Sequence, residues 1–120
     1  MKRQFKLFVQ DIKDAMDSIE TFISDMGFDE FLQDDKTKSA VVWKIGVIGE
    51  ATKNIPQSLR TKYKQLPWKG MAKMRDKITH FYFGIDYKIV WAVVKRELPE
   101  IKPHIEKILT DMEADRTLEK

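Results

Sequence analysis

Apolar residues recur every three or four positions along most of the chain, and this spacing predicts amphipathic helices. The first helix is expected over residues 2–26, with Gly27 as its stop. Residues 28–35 are interpreted as a linker that contains at most a short turn, with Phe28, Phe31 and Leu32 as the side chains that pin it to the core. Near the end of this linker, the Asp34-Asp35 pair is interpreted as a helix-start signal.

A second helix is predicted from about Thr37 to Lys53, and two glycines lie inside its apolar pattern. Gly46 and Gly49 each cost a helix about 1 kcal/mol relative to alanine. Their presence together therefore indicates that the backbone of another helix approaches this one closely. The segment Asn54-Ile55-Pro56 ends the helix, because the residue before a proline avoids the helical region.

Prolines and glycines divide the second half of the chain. A short helix is predicted over residues 56–63 and a longer one from Trp68 to about Tyr82, which Gly84 terminates. Asp86 is a good N-cap for the helix that follows.

The last predicted helix begins near two prolines. Pro99 bends or restarts the pattern, and Pro103 is expected in the first turn, where its missing N–H is harmless. Residues 113–120 are polar and are expected to fray. No segment alternates as a strand does, and no domain linker is visible. The prediction is an all-α domain over residues 1–112, an antiparallel, up-and-down bundle of about five or six helices.

Composition agrees with one soluble globular domain, since 42% of the 120 residues are hydrophobic and 34% are charged. Cysteine is absent, which excludes disulfides and thiolate zinc sites. The first residues contain no apolar signal-peptide core, and no apolar stretch is long enough to span a bilayer. We therefore expect a cytoplasmic protein without a membrane partner.

The net charge of +3 is spread unevenly along the chain. Residues 53–77 contain one acidic side chain and eight basic ones: Lys53, Arg60, Lys62, Lys64, Lys69, Lys73, Arg75 and Lys77. Such a block attracts polyanions such as nucleic acid. A solvated lysine-rich surface would have the same composition, so both interpretations stay open.

Several kinds of site are excluded by motif. The chain has no glycine-rich phosphate loop, no Gly-x-Ser-x-Gly elbow and no cysteine nucleophile. His80 and His104 are the only histidines, and neither has carboxylates at metal-ligand spacing. We therefore expect neither a metal nor a cofactor, and we interpret His104 as a surface residue.

One segment, Arg75 to Tyr82, combines a guanidinium, an imidazole and a phenol at the end of the basic block. Arg75 is suited to hold a phosphate bidentately, and His80 to move a proton near neutral pH. Together these functions suffice to cleave RNA through its own 2′-hydroxyl without a metal. DNA lacks that hydroxyl and is expected to resist cleavage.

The spacing of the pair raises a geometric difficulty. On a regular helix, residues five apart point about 140° away from each other. Arg75 and His80 would meet if the long arginine curled, if the helix loosened near Gly84, or if two copies met across a two-fold axis. An exposed arginine and an unrelated, half-buried histidine would give the same spacing, so this alternative stays open.

The segment Arg75-x-x-x-x-His80-x-Tyr82 resembles the motif of the HepT-like branch of the HEPN superfamily, the toxin half of microbial toxin–antitoxin pairs. Further segments also resemble this family in the same order. They are Ile48-Gly49-Glu50-Ala51, Leu66-Pro67-Trp68, Met74-Arg75-Asp76, Phe83-Gly84-Ile85-Asp86 and Val90-Trp91. The resemblance covers about residues 5–110.

This resemblance implies a homodimeric helical bundle with endoribonuclease activity, in which Arg75 and His80 are catalytic and two motifs face one cleft. It also implies a partner antitoxin, a minimal nucleotidyltransferase that transfers AMP to the motif tyrosine, Tyr82. The position after the arginine is often Asn in the family. Here it is Asp76, which we expect to orient Arg75 through a salt bridge, and which also adds negative charge near the phosphate. Lys69, Lys73 and Lys77 are expected to bind the RNA backbone.

Aromatic and acidic residues near the motif have simpler interpretations. Trp43, Trp68 and Trp91 are expected in the core or in a dimer interface. Tyr63 and Phe81 have rings that stack bases in other proteins, although packing is the expected role here. Glu50 is interpreted either as the partner of a cation near the cleft or as a solvated helix position.

Two functions from different classes follow from these observations. The first is a metal-independent ribonuclease toxin. The second is a non-catalytic nucleotide- or RNA-binding partner of a nucleotidyltransferase. A purely structural helical adaptor is a third interpretation, which binds no RNA.

Overall fold

The computed structural model describes residues 2–80 and 84–118, and it confirms the all-α class. Eight α-helices, a π-helical segment and two short strands make up the described part. The helices are α1 Lys2–Ile23, α2 Phe28–Gln33, α3 Asp35–Lys53, α4 Gln57–Lys62, α5 Trp68–Ala72, α6 Met74–Ile78, α7 Tyr87–Ala92 and α8 Leu98–Leu118. The π-helical segment is Val93–Glu97, and the strands are β1 Thr79–His80 and β2 Gly84–Ile85.

Helix α1 is amphipathic as predicted. Its buried residues follow steps of three and four: Val9, Ile12, Met16, Ile19 and Ile23. The helix ends three residues before the predicted boundary because Ser24 takes a positive φ of 27°. Gly27, the expected stop of α1, instead precedes α2 as its N-cap residue.

The packing of α1 on α8 is antiparallel. Lys6, near the start of α1, pairs with Glu113 at 2.7 Å, while Glu20, near its end, pairs with Lys102 at 2.9 Å. Lys102 also pairs with Asp17 at 2.9 Å. Because both ends of α1 meet opposite ends of α8, these ion pairs fix the relative direction of the two longest helices.

The prediction of a linker over residues 28–35 is wrong for its first part, which forms α2. Phe31 supplies the reason, because its ring is fully buried and packs 5.1 Å from Trp91 and 6.2 Å from Tyr87, measured between centroids. Six residues are too few to form a stable helix alone. The helix therefore depends on this contact with α7, which the local sequence does not reveal.

Asp34 begins α3 and confirms the helix-start signal. Its carboxylate accepts hydrogen bonds from the Thr37 backbone N–H at 3.0 Å and from the Thr37 hydroxyl at 2.8 Å. These hydrogen bonds from Thr37 lower the pKa of Asp34. The predicted close approach of another helix is confirmed at Gly49, where a Cβ would lie 3.5 Å from the Ala72 carbonyl oxygen of α5.

The helix predicted from Trp68 to Tyr82 is wrong in two respects. It is broken at Lys73, and it ends at Ile78 rather than continuing. The Thr79 hydroxyl donates to the Arg75 carbonyl oxygen at 2.8 Å, and the Asp86 N–H donates to the Ile78 carbonyl oxygen at 2.8 Å. These bonds satisfy the end of α6, and the chain continues as β1.

Strands β1 and β2 form a two-stranded antiparallel pair, which the sequence analysis does not predict. His80 is paired with Gly84, and Gly84 has a φ of +78°, a conformation that favours glycine. The side chain of Asp86 then accepts from the N–H groups of Lys88 and Ile89, which confirms the predicted N-cap of α7.

Pro99 follows the π-helical segment rather than restarting the helix. A proline cannot donate to the preceding turn, and its ring crowds the carbonyl four residues earlier. The wider π turn accommodates that loss, so α7 and α8 form one continuous helical run. Pro103 lies inside α8, beyond the first turn in which it was expected.

None of the described helices combines the length and apolar character that crossing a membrane requires.

Candidate functional site

Arg75 lies at the second position of α6, on the surface and facing α3. Its stem passes over Gly46, where an added Cβ would lie 3.9 Å from the Arg75 Cδ. The absence of a side chain at Gly46 therefore leaves room for Arg75 to lie against α3. This contact joins the candidate arginine to the glycine-containing helix that the sequence analysis singled out.

The guanidinium of Arg75 is available to a ligand. Within residues 2–80 and 84–118, no hydrogen bond or ion pair engages this group. Asp76 is exposed, and among the described contacts it makes no ion pair with Arg75, so its orienting role stays a prediction. An unpaired, partly fixed guanidinium is a ready site for a phosphate or a carboxylate.

His80 is on β1 rather than on a helix, so the helical offset of 140° does not apply to it. His80 lies five residues beyond Arg75, past the point where the chain changes from helix α6 to strand β1. Its backbone is held by pairing with Gly84. The side chain of His80, and all of Phe81 and Tyr82, lie outside the described residues. The convergence of Arg75 with His80 and the modification of Tyr82 therefore stay predictions.

The three lysines expected to bind RNA differ in their surroundings. Lys69 and Lys73 are exposed and have no ion-pair partner among the described residues. Lys77 instead pairs with Glu97 at 2.7 Å, and both side chains remain partly exposed. An exposed ion pair of this kind contributes about 0.2–1 kcal/mol, so a phosphate competes with it readily.

Arg60, another member of the basic block, has a structural role. Its guanidinium donates to the carbonyl oxygens of Ile55 at 3.0 Å and Thr52 at 2.8 Å. Thr52 lies in the last turn of α3 and Ile55 two residues beyond its end, so Arg60 ties the helix end to the segment that follows it. Arg60 therefore closes the end of α3.

A groove of about 590 Å³ runs along α3 beside Arg75. Apolar residues form most of its walls, and its polar residues come from α1, α3, the residue after α3, α6 and the first residue of α7. The lining consists of Phe8, Asp11, Ser39, Val42, Trp43, Gly46, Val47, Glu50, Ala51, Asn54, Arg75, Ile85 and Tyr87. Glu50 is exposed here, and its nearest described cation is Lys53 at 3.9 Å.

The three tryptophans have different environments. Trp68 is 6% exposed and its indole N–H donates to the Tyr63 carbonyl oxygen at 3.0 Å, which confirms the core prediction. Trp91 is half-buried against Phe28 and Phe31. Trp43 is 72% exposed and therefore lies outside the core.

The helical phase of α3 carries the signal that Trp43 faces outward. The buried residues Val41, Ile45 and Ile48 follow steps of four and three, and Trp43 lies about 200° from Val41 around the helix. A count of apolar residues that ignores their helical phase does not distinguish this outward position from the buried ones.

Two further predictions are confirmed. Tyr63 is packed in the core, and its hydroxyl donates to Asp111 at 2.6 Å. Burial, together with this carboxylate, raises the pKa of Tyr63. His104 lies on the surface.

No group of three His, Cys, Asp or Glu side chains suited to a metal ion occurs in the part of the chain that the structure describes.

Comparisons with known proteins agree on one family. A family model described as "Ribonuclease HepT-like" matches residues 12–108. The chain is 47% identical over 114 residues to "Putative RNase MJ0127" of Methanocaldococcus jannaschii, covering 95% of this chain and 94% of that protein. It is also 43% identical to "Probable ribonuclease HepT" of Thermococcus cleftensis, covering 90% and 98%. No solved structure matches the chain significantly.

Proposed function

Because the chain belongs to the HepT-like ribonuclease family, we propose that it is a metal-independent endoribonuclease, the toxin of a HEPN/MNT toxin–antitoxin pair. The observation that carries the proposal is the guanidinium of Arg75 at the wall of a groove, where no described residue pairs with it. Lys69 and Lys73 lie six and two residues before Arg75 in the sequence. Both are exposed and add positive charge to this segment. RNA in the cytoplasm is the expected substrate.

The proposed reaction uses the 2′-hydroxyl of the substrate as nucleophile. His80 takes the 2′-OH proton, the 2′ oxygen attacks the adjacent phosphorus, and the bond from phosphorus to the 5′ oxygen breaks. The departing 5′ oxygen takes a proton from water and His80 returns its proton to the solvent, which leaves a 2′,3′-cyclic phosphate and a 5′-hydroxyl. General-base catalysis of this kind contributes about 10²- to 10⁴-fold in rate.

Arg75 is assigned to the phosphate. Its guanidinium donates two parallel hydrogen bonds to the non-bridging oxygens, where negative charge grows in the transition state. Losing one such donor typically costs about 10²- to 10³-fold in kcat. Lys69, Lys73 and Lys77 hold the flanking phosphates, and Lys77 leaves Glu97 to do so.

Dimerisation and the antitoxin complete the proposal. Two copies whose motifs face one cleft would place two guanidinium groups beside one RNA strand. Their positive charges would attract its phosphate backbone. A nucleotidyltransferase that adds AMP to Tyr82 would introduce bulk and negative charge two residues from His80. Both effects oppose RNA binding, which would make the modification inhibitory.

The second candidate function is RNA or nucleotide binding without cleavage, as the partner subunit of a nucleotidyltransferase. A guanidinium without a protein partner binds a phosphate whether or not cleavage follows. The groove beside Arg75 therefore supports this function as well as it supports catalysis. The two functions differ only in whether His80 moves a proton.

The test is cleavage of a defined single-stranded RNA by the purified chain in the presence of EDTA. Wild-type protein is expected to give cyclic phosphate ends and to leave the DNA of the same sequence intact. Arg75→Ala and His80→Ala should each lose at least a hundredfold in rate. The matched control is Arg96→Ala, since Arg96 is an exposed arginine outside the groove.

Two outcomes separate the candidates. Retained binding with no cleavage by wild-type protein supports the binding partner and contradicts the ribonuclease. Full activity in His80→Ala removes the proposed base.

A further inference from the structure

Trp43 is an exposed aromatic ring that the fold itself does not use. Its side chain is 72% exposed, whereas the buried face of α3 runs through Val41, Ile45 and Ile48. Leaving a side chain of this size in water forgoes the free energy that its burial would give. A binding partner that covers the ring would recover that free energy.

The ring is close to the candidate phosphate site. Trp43 precedes Gly46 by three residues, which corresponds to about 4.5 Å along the helix axis and nearly one turn. Arg75 lies over Gly46, and both Trp43 and Arg75 line the same groove. A phosphate on the guanidinium would therefore bring its attached nucleoside within reach of the indole.

The charges in the groove determine which part of a nucleotide fits where. Among the described residues that line the groove, Arg75 is the only basic one, whereas Asp11 and Glu50 contribute carboxylates. Phosphate is attracted to Arg75 and repelled elsewhere in the groove. The remaining space therefore suits the uncharged parts of a nucleotide. Its volume of about 590 Å³ lies in the range of small-molecule sites.

We propose that Trp43 stacks on a base of single-stranded RNA next to the phosphate held by Arg75. This assignment rests on the proposed function insofar as Arg75 holds a phosphate of the substrate. Stacking on an aromatic ring tolerates any base, because every base has a π face. Trp43 thus contributes affinity and strand position rather than a sequence code.

A second copy of the chain is the competing occupant of this surface. The cores of protein–protein interfaces are depleted in charged residues, whereas this groove contains Asp11, Glu50 and Arg75. A self-complementary contact would bury all three in both copies. The charged lining therefore favours a nucleotide, which pairs its phosphate with Arg75 and leaves the carboxylates at the solvent edge.

Fluorescence titration tests the stacking directly. Trp68 is 6% exposed and Trp91 is half-buried, so quenching on ligand binding reports mainly on Trp43. Wild-type protein titrated with an uncleavable 2′-O-methyl RNA should be quenched. Trp43→Phe should bind nearly as tightly without that quenching. Trp43→Ala should raise the Kd about five- to a hundredfold, the range for loss of a stacking ring.

Two controls make the result specific. Leu7→Ala removes another exposed apolar side chain, one that does not line the groove, and should leave the Kd unchanged. An RNA with abasic sites should bind wild-type protein and Trp43→Ala equally, because no base remains to stack. Equal Kd values for wild type and Trp43→Ala on intact RNA would overturn the proposal.

Sedimentation and cleavage distinguish the remaining outcomes. If Trp43→Ala converts an oligomer to a monomer, the ring belongs to a contact between copies and the proposal is wrong. If Trp43→Ala weakens RNA binding while wild-type protein never cleaves RNA, the stacking site stands and the ribonuclease proposal fails. If wild-type protein cleaves RNA but RNA binding does not quench its fluorescence, the ribonuclease proposal stands and the stacking proposal fails.

Discussion

Replacing Gly46 tests whether the position of Arg75 matters for activity. Alanine fits, because its Cβ would lie 3.9 Å from the Arg75 Cδ, an ordinary contact distance. It also removes the helix cost of glycine, so Gly46→Ala should stabilise the protein by about 0.5–1 kcal/mol. For a chain of this size that gain corresponds to roughly 2–4 °C in Tm.

Isoleucine at the same position should separate activity from stability. A carbon–carbon bond of about 1.5 Å places its γ carbons well inside the 3.9 Å that separates Cβ from the arginine stem. The exposed Arg75 side chain can swing away, so the fold should survive. A displacement of about 1 Å can cost up to about a hundredfold in rate. We therefore expect kcat/KM to fall about ten- to a hundredfold.

The assay combines thermal unfolding with single-stranded RNA cleavage for wild type, Gly46→Ala and Gly46→Ile. Gly49→Ile is the matched control, because its side chain would press on the Ala72 carbonyl oxygen, only 3.5 Å from a Cβ. Backbone cannot swing aside, so this variant should lose about 1–3 kcal/mol of stability. A folded Gly46→Ile with wild-type kcat/KM would refute the role assigned to the position of Arg75.

Three other predictions follow from the packing and the charges. Phe31→Ala should cost about 3–5 kcal/mol in urea unfolding, because the ring is fully buried between α2 and α7; a loss below 1 kcal/mol would contradict its role in forming α2. Hydrogen bonds from Lys13 and then Lys102 lower the pKa of Asp17. Its stabilising effect is therefore present above about pH 4 and lost as the pH falls through the lowered pKa. Tm should drop on acidification, and it should drop less in Asp17→Asn. Finally, Lys69→Ala should weaken RNA binding similarly for all sequences and reduce the salt dependence of log K by about one; an unchanged slope would remove this lysine from the interface.

The sequence predicted those parts of the fold that local interactions determine. The spacing of Val9, Ile12 and Met16 is enough to indicate the buried face of α1. The caps at Asp34 and Asp86 satisfy backbone groups two or three residues away, so they are readable from the sequence. Such features need no knowledge of the rest of the molecule.

The errors occur where distant residues decide the local structure. Helix α2 forms because Phe31 meets Trp91, sixty residues later. The helix around the motif ends at Ile78 because the N–H of Asp86 reaches its carbonyl oxygen and Gly84 pairs with His80. Helical periodicity continues through Ile78 and contains no trace of these contacts.

The candidate site was predicted only in part. Arg75 and Gly46 were both identified from the sequence, but their contact requires the crossing of α6 over α3. Trp43 was expected in the core or in a dimer interface; its helical phase, which separates it from the buried Val41 and Ile45, excludes the core, and the interface stays a prediction. The chemistry of the motif was therefore predictable from local sequence, whereas the groove beside it depends on how α6 packs on α3.

A crystal structure of the chain with an uncleavable 2′-O-methyl RNA tests the central claim most directly. We expect the Arg75 guanidinium within about 3 Å of a phosphate oxygen, and a His80 ring nitrogen within about the same distance of the neighbouring 2′ oxygen. Both groups should reach one phosphodiester, from one copy or from two. Guanidinium and imidazole in separate environments, with the RNA bound elsewhere, would contradict the catalytic assignment.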